Sequence, residues 1–308
     1  MNITDRIIVY NYKVPFFIRE LLFRISLFLR NNIRAFFIKK NLINKTPFIK
    51  MLKNDGFVFL NNNSCPNESE INEMVNHLEK IDRINSNDIK ASKVSYVTND
   101  LAQNELFIKY ALNNEVISLA NNYFNAVPKI AFLKAWRVNS GADDFAEMSF
   151  HMDHHGHRFL KAFWYLNDVE EDCGHHEYIK CTHFQPRFDK KLSRAPENVK
   201  KQIINKRNLK GKYIVNNDVL VNYFKNNLLK ISGKAGSGFI EDTRGLHRGT
   251  EMPINKFRII YQVLYVPYIT DKDKDTHSSI SSKDTIETFF RKNVKNQNLY
   301  KYIFSDLL

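Results

Sequence analysis

The chain has 308 residues, of which 43% are hydrophobic and 13% aromatic, ample material for one large core, and all-β barrels and sandwiches of this size commonly form a single domain. Three cysteines, widely spaced and odd in number, argue against a disulfide framework and for a reducing, cytoplasmic setting, so the sequons at Asn2, Asn44 and Asn67 read as chance matches. The formal net charge of +13 is concentrated: residues 1–50 hold ten Lys/Arg against two Asp/Glu and residues 180–234 fourteen against three, leaving the rest net acidic. Two basic segments need explaining, not a generally basic protein.

The first lies in residues 1–45, a basic amphipathic helical segment. On a helical wheel Arg19, Glu20, Arg24, Arg30, Asn31 and Arg34 share one sector, and Leu21, Ile25, Phe28, Leu29, Ile33, Ala35 and Phe36 fill most of the opposite side. Charges every few residues exclude a membrane span, and there is no clean apolar run or small-residue cleavage site to make a signal peptide. Residues 15–40 have two placements open. They can lie peripherally on an anionic membrane surface, or pack on the outside of the following domain or at a homo-oligomer contact.

Residues 46–308 form the main domain. Phe48 to Leu60 predicts a short helix, a turn at Gly56 and a strand, and Asn67-Glu68-Ser69-Glu70 has the form of a capping box opening a helix to about Ile84. A second helix is expected from Asn104 to Asn122 and a strand from Ile130 to Val138, whose Lys134, Trp136 and Arg137 read as wall residues with exposed charges. No internal repeat or long flexible linker is visible.

The chemistry begins at His151-Met152-Asp153. Residues two apart on a strand share a side, so His151 and Asp153 can reach one metal while Met152 turns away. Phe159–Leu166 predicts a strand, Asn167–Gly174 a polar turn, Gly238–Asp242 a short strand and Phe257–Val266 a longer one, with His247 in the turn between the last two and Arg258 near the start of the last. Two histidines and one carboxylate hold ferrous iron by one face and leave the other open for an oxidant and a co-substrate. An arginine shortly after the second histidine suits a co-substrate carboxylate.

The order of these features resembles the phytanoyl-CoA dioxygenase-like family of iron(II)/2-oxoglutarate oxygenases over roughly residues 48–268. The resemblance rests on the H-x-D, the turn YLNDVEEDCG with YIKCTH behind it, GKAGSGFIEDTRGLHRG, and an arginine eleven residues after His247. It implies a mainly β domain with flanking helices, a double-stranded β-helix (a jelly-roll or cupin-like barrel), with Fe(II) held by His151, Asp153 and His247 and 2-oxoglutarate anchored by Arg258. It further implies consumption of O2, release of succinate and CO2, and, since Asp153 is present where halide-incorporating relatives lack the carboxylate, hydroxylation of a C–H bond. Two departures stand out: His175, His176 and Glu177 follow Gly174, and Gly249 stands where some members place a hydroxyl. The second leaves Thr250 and Tyr261 as candidate helpers of Arg258.

Other histidines have weaker claims. His155 and His157 share the parity of the motif, although Gly156 favours a turn; a zinc site from Cys173, His175, His176, Cys181 and His183 fits no familiar C-x-x-C spacing; His77, His154, His176 and His277 read as ordinarily packed or exposed. The second basic segment, an insertion around 184–230, includes Lys190, Lys191, Arg194, Lys200, Lys201, Lys206, Arg207, Lys210 and Lys212. As a lid over the site it would favour a small or conjugated anionic substrate such as an acyl-CoA, nucleotide-sugar, glycan or lipid; as a solvated insertion it would carry no such meaning. No stacking-aromatic motif accompanies the charge, which disfavours nucleic acid. The rival to an enzyme is a non-catalytic metal- or ligand-binding barrel recognising an anionic sugar or lipid, which has no need of a carboxylate anchor at Arg258.

Overall fold

A computed structural model describes residues 14–30, 48–84, 93–140, 145–171, 173–207, 217–269 and 283–304. Among these residues nine strands build two antiparallel sheets: β1 (Phe57–Phe59), β2 (Lys93–Tyr96), β3 (Lys129–Asn139), β4 (Leu160–Tyr165), β5 (His176–Ile179), β6 (Leu228–Ile231), β7 (Gly238–Glu241), β8 (His247–Gly249) and β9 (Phe257–Val266). The large sheet has the order β1-β7-β4-β9-β3-β2 and the small one β6-β5-β8. A bridge between His151 and His247 extends the small sheet. This is the double-stranded β-helix arrangement, with helices packed outside it.

The long strands are apolar on both sides because both sides are covered. On one face of the large sheet Leu133, Ala135, Ala162, Trp164, Tyr261, Val263 and Tyr265 join helical residues such as Met74, Leu78, Phe107 and Val116 in the main core. On the other, Phe163, Tyr165, Phe239 and Ile260 meet Tyr178 and Ile231 of the small sheet. Parity along β9 therefore decides each residue's fate: Arg258, Ile260 and Gln262 line a cavity between the sheets, whereas Ile259, Tyr261 and Val263 enter the helix-side core.

Local signals explain the helices. The capping box closes as expected: the Asn67 amide donates to Glu70 Oε2 (3.0 Å) and the Glu70 amide to Asn67 Oδ1 (3.1 Å), opening helix Glu68–Ile84. The single helix expected over 104–122 is two, Glu105–Ala111 and Asn114–Phe124. Asn113 is the break, because its Oδ1 accepts from the amides of Glu115 and Val116 and so caps a new helix. Arg137, expected as an exposed wall charge, is buried and donates to the equally buried Asp82 (2.8 Å). His247, expected in a turn, belongs to β8, where it pairs with Tyr178 of β5.

The N-terminal segment contains helix Phe16–Arg30, docked on the domain; its wheel positions beyond Arg30 lie outside the described residues, as do Asn2 and Asn44. The docked side is not the apolar sector of the wheel. Phe23, Leu27 and Arg19 are buried, while Phe17, Leu21, Ile25, Phe28 and Leu29 are exposed. The reason is polar: Glu20 accepts from Arg158 (2.6 Å), hydrogen-bonds His157 Nε2 (2.9 Å), and Arg19 donates to Gln185. Burial would raise the Glu20 carboxyl, but the bond to His157 and the charge of Arg158 outweigh it and hold it at about 2. Among the described residues no helix is long and apolar enough to cross a membrane.

The basic insertion folds as helices Gln185–Ser193, Glu197–Arg207 and Asn217–Phe224, and Leu228–Ile231 already belongs to the small sheet as β6. These helices bury Phe188, Leu192, Val199, Ile203, Leu220 and Phe224 against Phe150, Met152, Ile179 and Leu246. They pack behind the H-x-D strand, on the side to which Met152 turns.

Candidate active site

His151, Asp153 and His247 converge, each offering a ligand atom within 4.8 Å of the others, as a group of metal-ligating type among the described residues. Backbone pairing brings this about. The His151 amide donates to the His247 carbonyl and the reverse, both at 3.0 Å, so the two histidines face each other across a narrow antiparallel pair, with ring centroids 4.2 Å apart. The Asp153 amide donates to the Thr243 carbonyl (2.8 Å), fixing the third ligand to the same loop.

The imidazoles are aimed identically. His151 Nδ1 lies 2.9 Å from the Ser149 carbonyl and His247 Nδ1 2.9 Å from the Gly245 carbonyl. A carbonyl oxygen only accepts, so each Nδ1 carries the proton and each Nε2 presents its lone pair to the shared centre, the orientation that metal-binding histidines need. Asp153 receives Lys161 Nζ at 2.5 Å, and His247 Nε2 lies 3.5 Å from Asp153 Oδ2. Burial opposes ionisation of Asp153, yet Lys161 and His247 hold its carboxyl well below the usual range. Burial and the charge of His247 push His151 down to about 4, while for His247 the attraction of Asp153 overcomes burial and raises it. Two buried Nε2 lone pairs beside one anionic oxygen fit a divalent metal ion.

Arg258 lies in the same cavity, of about 330 Å³, with His151, Asp153 and His247. It is half-buried at the residue level, yet its Nε is buried without a hydrogen-bond partner, and Nη1 donates to the Gly174 carbonyl. Two glycines make this placement feasible. Gly174 adopts φ +63°, the left-handed region, and a Cβ on Gly249 would lie 3.1 Å from Arg258 Nη2. The missing hydroxyl at position 249 thus gives the guanidinium room. Gln262 Nε2, two strand repeats further along on the same face, is also buried without a partner. Two orphaned donors in one cavity with a metal-ligand set fit a bound dicarboxylate.

The two candidate helpers of Arg258 separate. Thr250 lines the cavity, with its hydroxyl donating to the His175 carbonyl at 3.0 Å. Tyr261 does not: three residues from Arg258, it has the opposite parity, stacks on Trp164 and donates to the Phe107 carbonyl (2.7 Å) in the helix-side core. His155 lines the cavity, while His157 is taken up by Glu20 and the N-terminal helix. The zinc reading gains no support: among the described residues Cys173, His175, His176, Cys181 and His183 form no group of metal-ligating type, and Cys173 packs on Met252, Cys181 faces Asp55 and His183 hydrogen-bonds the Lys53 carbonyl.

Several cavity residues escaped sequence reasoning. His176 lies in the cavity, its Nε2 3.0 Å from the fully buried Glu241 and its ring 5.7 Å from that of His247. Lys134, Trp136, Lys161, Phe163 and Gln262 line it too, and the pairing register explains why: Val138 pairs with Arg258, Trp136 with Ile260, and Lys134 and Phe163 with Gln262. No described residue of the 184–230 insertion lines the cavity, and Lys210 and Lys212 lie outside the described residues; the Lys and Arg that line it among the described residues are Lys93, Lys134, Lys161 and Arg258.

No family model matches the chain, and no curated protein matches it. Among solved structures it is similar to HygX from Streptomyces hygroscopicus with nickel and 2-oxoglutarate bound, at 15% identity and TM-score 0.51, covering 73% of this chain and 88% of that one. The iron-bound form of HygX gives 15% identity and TM-score 0.50 over 74% and 88% of the two chains. At this identity the likeness bears on the fold, and it agrees with the two facing antiparallel sheets described above.

Proposed function

We propose that the chain is an Fe(II)/2-oxoglutarate-dependent dioxygenase of the phytanoyl-CoA dioxygenase-like type that hydroxylates a C–H bond of a small molecule. The observation that carries this reading is the presence, in one cavity, of the preoriented His151–Asp153–His247 set and the guanidinium of Arg258 with an unsatisfied buried donor. HygX, of similar fold, has been crystallised with a metal and 2-oxoglutarate, which supports the choice of co-substrate. A barrel that only bound a sugar or lipid would have no use for a buried arginine beside a metal-ligand set.

His151, Asp153 and His247 would hold the metal, which when bound supplies the means to couple decarboxylation of 2-oxoglutarate by O2 to substrate oxidation, with succinate and CO2 released. The residues position and exclude. Ser149 and Gly245 carbonyls lock the two imidazoles in the ligating tautomer. Lys161 keeps Asp153 ionised, and Arg258 would pair with the far carboxylate, the guanidinium fork matching a carboxylate in a dry site. Phe163, Ile260 and Trp136 make the wall between them apolar, which limits water.

Succinate formation from 2-oxoglutarate with Fe(II) and air, in the absence of any added substrate, tests the reading. Wild type is expected to show slow uncoupled turnover that Arg258→Ala weakens through a 2-oxoglutarate KM raised about a hundredfold, as for truncation of a buried charge partner. Turnover in wild type that Arg258→Ala leaves unchanged would contradict the assigned anchor.

A further inference from the structure

Helix Phe16–Arg30 turns outward the side that a surface helix normally buries. It is held on the domain by Arg19, Glu20, Phe23 and Leu27, with the Phe23 ring 5.0 Å from that of His157 and 5.9 Å from that of Tyr268. Thirteen large hydrophobic side chains are exposed among the described residues, and six of them belong to this one helix: Phe17, Ile18, Leu21, Ile25, Phe28 and Leu29. At about a hundred degrees per residue these six follow one another within a sector of roughly 120 degrees, bordered by Arg24, whose side chain is 71% exposed. Phe184, itself exposed, meets Phe16 edge-on with centroids 5.4 Å apart and carries apolar surface onto the domain. So concentrated a patch marks an interaction surface, whereas scattered exposed residues would not.

The charges around the patch select its partner. Three arginines and one acid lie on the helix, and that acid, Glu20, is turned inward to His157 and Arg158. Arg24 is exposed at the sector's edge, and at the Phe184 end the exposed Arg187 lies 6.0 Å from the Phe184 ring centroid. Residues 1–50 as a whole hold ten Lys/Arg against two Asp/Glu. A second copy of the chain meeting the first by this face would bring two such basic segments together, and their like charge opposes it. An anionic lipid surface complements both parts of the patch: headgroups pair with the arginines, and the acyl boundary takes the six apolar side chains at the shallow depth that a helix lying in the interface reaches.

We propose that the outward face of helix Phe16–Arg30 is a membrane-docking surface, lying in the interface of a bilayer that contains anionic lipid while the inward face stays on the domain. The inward contacts are to His157 and Arg158, a few residues after Asp153, so lipid would be met beside the segment that carries a candidate metal ligand. The inference does not depend on the oxygenase reading.

Co-sedimentation of the full chain with vesicles, without metal or co-substrate, tests it. Binding to phosphatidylcholine vesicles containing about a third phosphatidylserine is expected to exceed binding to pure phosphatidylcholine about tenfold or more, and to fall as salt rises. Phe17→Asn with Phe28→Asn, and independently Leu21→Asn with Leu29→Asn, should each weaken that binding about tenfold, whereas Ile254→Asn, at an exposed position outside the helix, should leave it unchanged. All five positions are exposed, so the midpoints of urea unfolding are expected to stay at the wild-type value; should one pair shift its midpoint, the other pair decides. The surface is refuted by a wild type that binds neither vesicle or both equally, or by a folded pair variant that binds as wild type does. A wild type that is dimeric by size-exclusion chromatography and becomes monomeric in either pair variant also refutes it, giving the face to a second copy.

Discussion

The basic insertion and the cavity wall hold positive charge in opposite ways. Between residues 180 and 234 fourteen Lys/Arg crowd along the sequence, yet the described part of the insertion turns its apolar residues to the H-x-D strand and sends no side chain into the cavity. Among the described residues the cavity is lined by four Lys and Arg, drawn from β2, β3, β4 and β9, strands spread over more than 160 positions. Charge density along a chain therefore says little about where an anion binds; convergence across strands, behind low-dielectric walls, says much more. The described part of the insertion packs as a brace behind the H-x-D segment.

That division can be broken by substitution. The largest effect is expected on the wall side: His151→Ala or Asp153→Ala should weaken Fe(II) binding by more than about a hundredfold, measured by anaerobic metal titration, with the fold retained by circular dichroism. On the brace side, Leu220→Ala removes a fully buried side chain from the insertion core and should cost about 2–4 kcal/mol of stability in urea unfolding. An unchanged midpoint would show that the insertion is not packed as described.

The N-terminal helix offers a finer test, since its docking depends on a titrating group. Glu20 is held at about 2 in the folded chain against an ordinary 4.5. Its contribution is therefore complete above about pH 4.5 and fades as pH falls towards 2. Glu20→Gln should cost about 1–2 kcal/mol at pH 7, discounted for its partly solvated partners, and the gap to wild type should close over that acid window. A gap constant with pH would mean that Glu20 does not dock the helix as a carboxylate. The smallest effect is expected from reversing Lys190, Lys191 and Arg194 to glutamate: 2-oxoglutarate affinity should change by less than about twofold at physiological salt, and a larger loss would restore the insertion to the role of lid.

The convergence of the candidate site residues is legible in the sequence because it is written in fixed offsets. His151 and Asp153 share strand parity, and Arg258 follows His247 on the next strand at a distance that β8 and its turn require. The capping box at Asn67 and the strand over 257–266 were legible for the same reason, being local. Tyr261 went wrong although the needed rule was present: a residue three positions from Arg258 on a strand must face the other way. His176 and Lys134 could not be singled out without pairing register, since nothing near them in sequence tells which face of β5 or β3 meets the cavity. The docked face of the N-terminal helix was hidden for a different reason. Wheel amphipathicity ranks apolar residues, whereas Glu20 and Arg19 find their partners at His157, Arg158 and Gln185, more than a hundred residues away.

We read one cavity as holding both a facial metal site and a carboxylate anchor. Anaerobic titration of Fe(II) and 2-oxoglutarate into the protein, followed by visible absorption, addresses it most directly. Wild type is expected to show the charge-transfer band of the iron chelate, absent in Asp153→Ala and shifted to much higher 2-oxoglutarate concentration in Arg258→Ala. A wild-type protein that binds iron and shows no such band at saturating 2-oxoglutarate would contradict it.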